Sequence, residues 1–293
     1  CHYTRHATMN NCSNGTRDMS RLIASFILMA AAAAGTAVPV TAAEKTAAVA
    51  KPEKIAPEPR LANLRQLTFG GQNAEAYFSR YAQELIFQST RGELQCDAIF
   101  RMRADGSEVR QISSGRGVTT CAFIAPDNRS VIYASTHLEH ERCPPKPDYS
   151  QGYVWPLYEG YDIFSADPEG GNLRRLTATP GYDAEATLSP DGSRIVFTST
   201  RSGDLELYTM NVDGSDVQQV TNELGYDGGA FFSPDGSRIV FESNRDEDTN
   251  IYVMNADGSN MRQVSSGDGV TTCAFIAPDG GSIIYASTHL GGK

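Results

Sequence analysis

Apolar and polar positions along residues 181–265 follow a short-strand rhythm that restarts every 44 residues. Gly181–Thr221 reads GYDAEATLSPDGSRIVFTSTRSGDLELYTMNVDGSDVQQVT. Gly225–Ser265 reads GYDGGAFFSPDGSRIVFESNRDEDTNIYVMNADGSNMRQVS, aligned without a gap. Each copy predicts four strands. The first, Ala184–Leu188, ends at Ser-Pro-Asp-Gly, where Pro190 presets φ and Gly192 takes the positive φ that completes the turn. Arg194–Ser199 follows, with β-branched and aromatic residues at Ile195, Val196 and Phe197. A polar loop, Thr200–Asp204, leads to a third strand, Leu205–Asn211. Asp213-Gly214-Ser215 is a tight-turn signal, and Val217–Thr221 closes the unit.

The same pattern extends in both directions. Ala277-Pro278-Asp279-Gly280 stands 44 residues after Ser233-Pro234-Asp235-Gly236. Gly117–Thr177 is a copy with about 20 extra residues, and Leu64–Ser113 is a degenerate first copy. Four strands in about 44 residues is the size of one propeller blade. The expected fold is therefore all-β: a β-propeller over 61–293, with blades near 64–113, 114–177, 178–221 and 222–265 and a partial fifth over 266–293. An immunoglobulin-like sandwich does not repeat its sequence, and a β-helix has a shorter period. Four and a half blades leave strand edges open, which invites pairing with a second copy. The expectation is an incomplete six-bladed ring.

The N-terminal segments read differently. Met19-Ser20-Arg21 opens a short positive region, residues 22–40 are apolar and Ala-rich, and Val40-Thr41-Ala42-Ala43 supplies small residues for cleavage. This is the layout of a signal peptide over 19–43, the alternative being an uncleaved signal anchor. Residues 1–18 are read as translated upstream sequence. Residues 44–60 hold Pro52, Pro57 and Pro59 among Lys, Glu and Ala, a stiff extended linker. The net charge of −10 and the lack of a basic run argue against a nucleic-acid partner.

The pattern S-P-D-G-x-x-I-x-F-x-S-x-R, then I-Y-x-M-N-x-D-G-S, then a closing Q-V-T or R-L-T, resembles the WD-like repeats of TolB-like periplasmic propellers. The resemblance runs from Leu64 to Leu290. It implies six or seven blades, a periplasmic or secreted location and protein partners in the cell envelope. The family's namesake carries an α/β domain between signal peptide and propeller, where this chain has only residues 44–60. The likeness is therefore to stand-alone members, whose blade-two insertion resembles Cys143-Pro144-Pro145 through Gly152-Tyr153-Val154-Trp155-Pro156.

Blade geometry places the S-P-D-G and D-G-S turns on one face. The segments entering each first strand, and the loops between second and third strands, fall on the other. That second face, the channel mouth, is the expected binding face. It collects Thr119, Thr120, His137, Glu139, His140, Tyr182, Asp183, Glu185, Arg201, Tyr226, Asp227 and Arg245. Asp183, Glu185 and Asp227 offer carboxylates to a cation or a basic group, or accept hydrogen bonds within their own blade. Arg201 and Arg245, with Arg91 at the matching place, offer a fork for a partner carboxylate or pair between blades. The insertion Glu141–Gly160 carries the only Trp, Trp155, with Tyr149, Tyr153 and Tyr158 on a Pro-stiffened loop suited to a binding surface. It serves equally as a lid on its own blade. His137 and His140 near Cys143 fall short of a four-ligand zinc set. One disulfide is expected among Cys96, Cys121 and Cys143, the pair left open.

No nucleophile elbow, zinc-protease motif, P-loop or dinucleotide fingerprint occurs. The expectation is a non-catalytic module, with no cofactor, metal or membrane span after signal cleavage, that docks a protein or peptide at the channel mouth. The alternative is the substrate-filtering propeller of a serine oligopeptidase whose hydrolase domain lies beyond Lys293.

Overall fold

The computed structural model describes residues 7–8, 62–150, 154–266 and 269–289. The signal peptide and linker expected from the sequence lie outside them. The described chain is an all-β propeller: four sheets of four antiparallel strands each, followed by a two-stranded fifth. The inner strands, one per blade, are Gln72–Phe78, Thr119–Ile124, Asp183–Leu188, Asp227–Phe232 and Thr271–Ile276. No helix occurs among the described residues.

The third blade shows why the sequence folds this way. Asp183–Leu188, Arg194–Ser199, Glu206–Asn211 and Gln218–Gln219 pair in order. The second strand is apolar without alternation because both its faces are covered. Ile195 and Phe197 pack toward Ile132 and Ile163 of blade two. Val196 packs on Ala230, Ile239 and Phe241 of blade four. All three are fully buried, and burial of each contributes roughly 1.5–3 kcal/mol. The core is thus a series of apolar layers between successive blades, repeated between blades one and two and between four and five.

The turns follow from their hydrogen bonds. Gly192 at φ 74° donates its N–H to the Ser189 carbonyl at 2.8 Å, while the Asp191 carboxylate accepts from Ser189 Oγ and the Ser193 N–H. Asn128 and Ala82 take the same positive φ in blades two and one. In the Asp213-Gly214-Ser215 turn, a Cβ on Gly214 would stand 2.7 Å from the Leu176 carbonyl of blade two, so glycine is needed for close blade packing.

The fourth strands are shorter than the sequence suggests: Gln218–Gln219 pairs where Val217–Thr221 was expected. This outermost strand has one neighbour, and its two glutamines are exposed. In blade four the second and third strands extend to Arg238–Asp246 and Asp248–Asn255, leaving Glu247 at φ 78° as the turn. In the insertion, Val154–Trp155 pairs antiparallel with Ala7–Thr8. The fifth blade's Ile283–Ser287 has no strand on its outer side among the described residues, and Ile284 is exposed.

Candidate ligand channel

Every inner strand carries a β-bulge at the same place. The pairing register shifts between Ala74 and Tyr77, Thr120 and Phe123, Ala184 and Thr187, Gly228 and Phe231, and Thr272 and Phe275. The bulged residue has a left-handed backbone each time: Glu75 at φ 49°, Cys121 at 50°, Glu185 at 57°, Gly229 at 57° and Cys273 at 56°. For a residue with a Cβ this costs on the order of 1–2 kcal/mol. The extra residue re-aims the chain, and all five bulges line a central cavity of about 600 Å³.

Two residues beyond each bulge stand Tyr77, Phe123, Thr187, Phe231 and Phe275. Four of these are aromatic and meet across the axis. Ring centroids lie 5.9 Å apart for Tyr77–Phe123, 5.6 Å for Tyr77–Phe231 and 4.2 Å for Phe231–Phe275. They form an apolar part of the wall. Trp155, Leu157, Leu205, Tyr226, Asn244 and Thr249 line the cavity from the channel-mouth side.

The mouth is organised by a hydrogen-bond chain. Trp155 Nε1 donates to the Tyr182 hydroxyl at 3.0 Å, and Tyr182 donates to Glu185 Oε1 at 3.0 Å. Glu185 Oε2 accepts from the Tyr226 hydroxyl, Thr198 Oγ1 and the Gly229 N–H. Burial, then the Glu185 charge, pushes both tyrosines well above their usual range, so both remain donors. Glu75 accepts from Tyr77. Glu242, on the second strand of blade four, accepts the Cys273 N–H at 2.5 Å. Its carboxyl is raised to about 8, chiefly by burial and further by Glu185 and Glu75.

The expected site residues separate into two groups. Trp155, Glu185 and Tyr226 line the cavity, with Tyr182 directly behind them. Asp183, Arg201, Asp227 and Arg245 are absorbed into their own blades. Asp183 is 1% exposed and takes Arg201 at 3.0 Å; Asp227 takes Arg245 at 2.7 Å. Each guanidinium lies over two aromatic rings, Phe197 and Tyr208 or Phe241 and Tyr252. Pairing between blades is therefore corrected to pairing within one, because the register sets Asp183 opposite Ser199, two residues before Arg201. Tyr158 donates to the Pro145 carbonyl and packs against Tyr161, bracing the insertion. Tyr153 lies outside the described residues.

Cys96 and Cys143 form a disulfide with a Cα–Cα distance of 5.6 Å. Cys121 and Cys273 remain free in the cavity wall. Burial, then Glu75 and Glu185, raises the Cys121 thiol, which disfavours the thiolate. His137 Nδ1 meets Ser135 Oγ at 2.9 Å, but that hydroxyl is buried and shared with Thr119. No group of three His, Cys, Asp or Glu that could hold a metal ion occurs among the described residues. Sequence reasoning missed Glu75, Cys273 and Glu242. Glu75 and Cys273 were signalled by standing where Glu185 stands in its own blade; Glu242 stands where Gln88 does in blade one, which accepts the Cys121 N–H in the same way.

The TolB beta propeller domain family matches residues 147–230 and 220–293, together half of the chain. The Tol-Pal system protein TolB of Bordetella pertussis is 51% identical over 39 residues, which is 13% of this chain and 9% of that relative. The structure resembles the crystal structure of TolB from Acinetobacter baumannii, with TM-score 0.55 and 21% identity over 70% of this chain and 46% of that one. It also resembles an oligogalacturonate lyase from Vibrio parahaemolyticus, with TM-score 0.50 and 16% identity over 73% of this chain and 58% of that one. At these identities the structural likeness is one of fold. The family match runs from the blade-two insertion through blade five, and this chain belongs to the TolB beta propeller domain family.

Proposed function

We propose that this chain is an exported, non-catalytic binding module of the cell envelope, periplasmic or secreted, that takes a protein or peptide segment at the channel mouth. The observation that carries this reading is the cavity of about 600 Å³, with Trp155 and Leu157 of the insertion on its wall and aromatic rings from four blades inside. Aromatic anchors around a concave site are the usual carriers of binding energy. Trp155 is half-buried and held by Tyr182, so little side-chain freedom is lost when a partner covers it. The hydroxyls, thiols and carboxylates of the cavity do not assemble a nucleophile with an oriented base. The signal sequence read over 19–43 accounts for export.

The test is site-specific photocrosslinking in the cells that make the protein. A photoreactive residue at Thr249 or Asn244 is expected to give discrete crosslinked protein species. One at Asp191 or Asp257, in turns of the opposite face, is expected to give none. Equal crosslinking from both faces would remove the channel mouth as the docking face.

A further inference from the structure

We propose that the cavity receives an alkylammonium group, a lysine side chain of the bound segment, between its carboxylates and its aromatic rings. This rests on the reading of the cavity as a peptide site and names what that site selects.

Three carboxylates reach the cavity from three blades: Glu75, Glu185 and Glu242. Glu242 does so because the bulge of its blade is glycine. A Cβ on Gly229 would lie 3.1 Å from Glu242 Oε1, so the glutamate fills the space that a bulge side chain occupies elsewhere. Among the described residues each carboxylate meets only neutral donors: Tyr77 for Glu75, two tyrosines with Thr198 and an amide for Glu185, one amide for Glu242. Among the described residues none of the three is in an ion pair, and no lysine, arginine or histidine lines the cavity. Asp162, Asp183 and Asp227, more deeply buried at 1% exposed, each have an arginine.

Glu242 is the most telling of the three. It is 7% exposed, and its second oxygen has no donor among the described residues. A buried carboxylate without a cation keeps its proton rather than bear the cost of a buried charge, and an entering cation favours its ionised form. Metal ions need several converging ligands, and no such group forms among the described residues. An ammonium group on a slender apolar stem suits the site better. It needs only one carboxylate within reach at a time, its stem passes the apolar mouth at Trp155 and Leu157, and the Tyr77 and Phe231 rings add cation–π attraction. Arginine's planar fork suits a single bidentate carboxylate instead.

The experiment uses two pentapeptide pools with random flanks, one with central lysine and one with central norleucine, passed over the immobilised chain. Retained peptides are quantified by mass spectrometry. The lysine pool is expected to be enriched about tenfold over the norleucine pool. Glu75→Gln and Glu242→Gln, alone and together, keep acceptors for Tyr77 and the Cys273 amide; the double variant is expected to erase most of that preference. Circular dichroism and thermal melting of each single variant guard against unfolding. Equal retention of both pools overturns the lysine inference and leaves the peptide-site reading standing. A preference unchanged in the variants also overturns it, by placing lysine recognition elsewhere. Retention of neither pool overturns both.

Discussion

Asp183 opens the first strand of its blade and Arg201 sits in the turn just after the second, and the partner of a fully buried carboxylate is a guanidinium stacked on two rings. Removing the cation strands the charge. Arg201→Ala is therefore expected to lose about 3–5 kcal/mol in urea denaturation. Asp183→Asn is expected to lose much less, because blade one already uses Asn73 to accept from Arg91 at 2.7 Å. Equal losses would contradict this account of the pair. Glu242 gives a prediction of opposite sign to most carboxylates. Its folded value, about 8, lies above its unfolded one, so the folded state holds the proton longer. Stability should fall as pH rises from about 4.5 to 8, by on the order of 2–4 kcal/mol from this residue. Glu206, raised to about 7 by burial, adds in the same direction. Glu242→Gln should flatten part of that slope in melts recorded from pH 5 to 9; an unchanged slope would show that Glu242 does not titrate there. Repetition made Asp183 and Asp227 legible in the sequence as a matched pair, but not as buried. Spacing tells which residues are equivalent, whereas burial depends on which face the strand turns to its neighbour.

The bulged inner strand is the element that makes the channel. Five successive strands show it, with glutamate, cysteine or glycine at the left-handed position. Strand identity and the two turns were readable from apolar runs and from Pro and Gly placement. The bulge was not, because a one-residue register shift leaves no mark in a six-residue strand whose neighbours are apolar on both sides. The fourth strand was overestimated for a related reason: Val217 and Val220 favour extended backbone, yet only Gln218 and Gln219 find a partner. The insertion is held by the Cys96–Cys143 disulfide, across a sequence separation of 47. Closing a loop of that length contributes roughly 2–4 kcal/mol. Cys143→Ser is expected to lower the unfolding free energy by that amount in urea denaturation under oxidising conditions, and added reductant should then have no further effect. A stability equal to that of the oxidised parent would mean that the insertion is held by packing alone.

At the scale of the whole molecule, two faces with different chemistry are set by one repeat. The face of the Ser-Pro-Asp-Gly turns carries self-satisfied Asp–Ser hydrogen bonds. The other face opens onto a cavity whose three carboxyl groups have no paired cation among the described residues, and which carries the lone tryptophan. The sequence distinguished these faces through turn chemistry, and it marked the insertion by composition. It did not show the aromatic cluster at the axis, which exists only when the blades stand around one centre. The most direct test of the channel mouth as the binding face is selection of peptides from a random display library on the intact chain, followed by affinity measurement on two variants. Trp155→Ala should weaken the selected peptides at least about tenfold, while Arg80→Ala, which removes a contact to the Pro190 carbonyl on the opposite face, should leave them unchanged. Peptides that lose affinity to Arg80→Ala and not to Trp155→Ala would contradict the account.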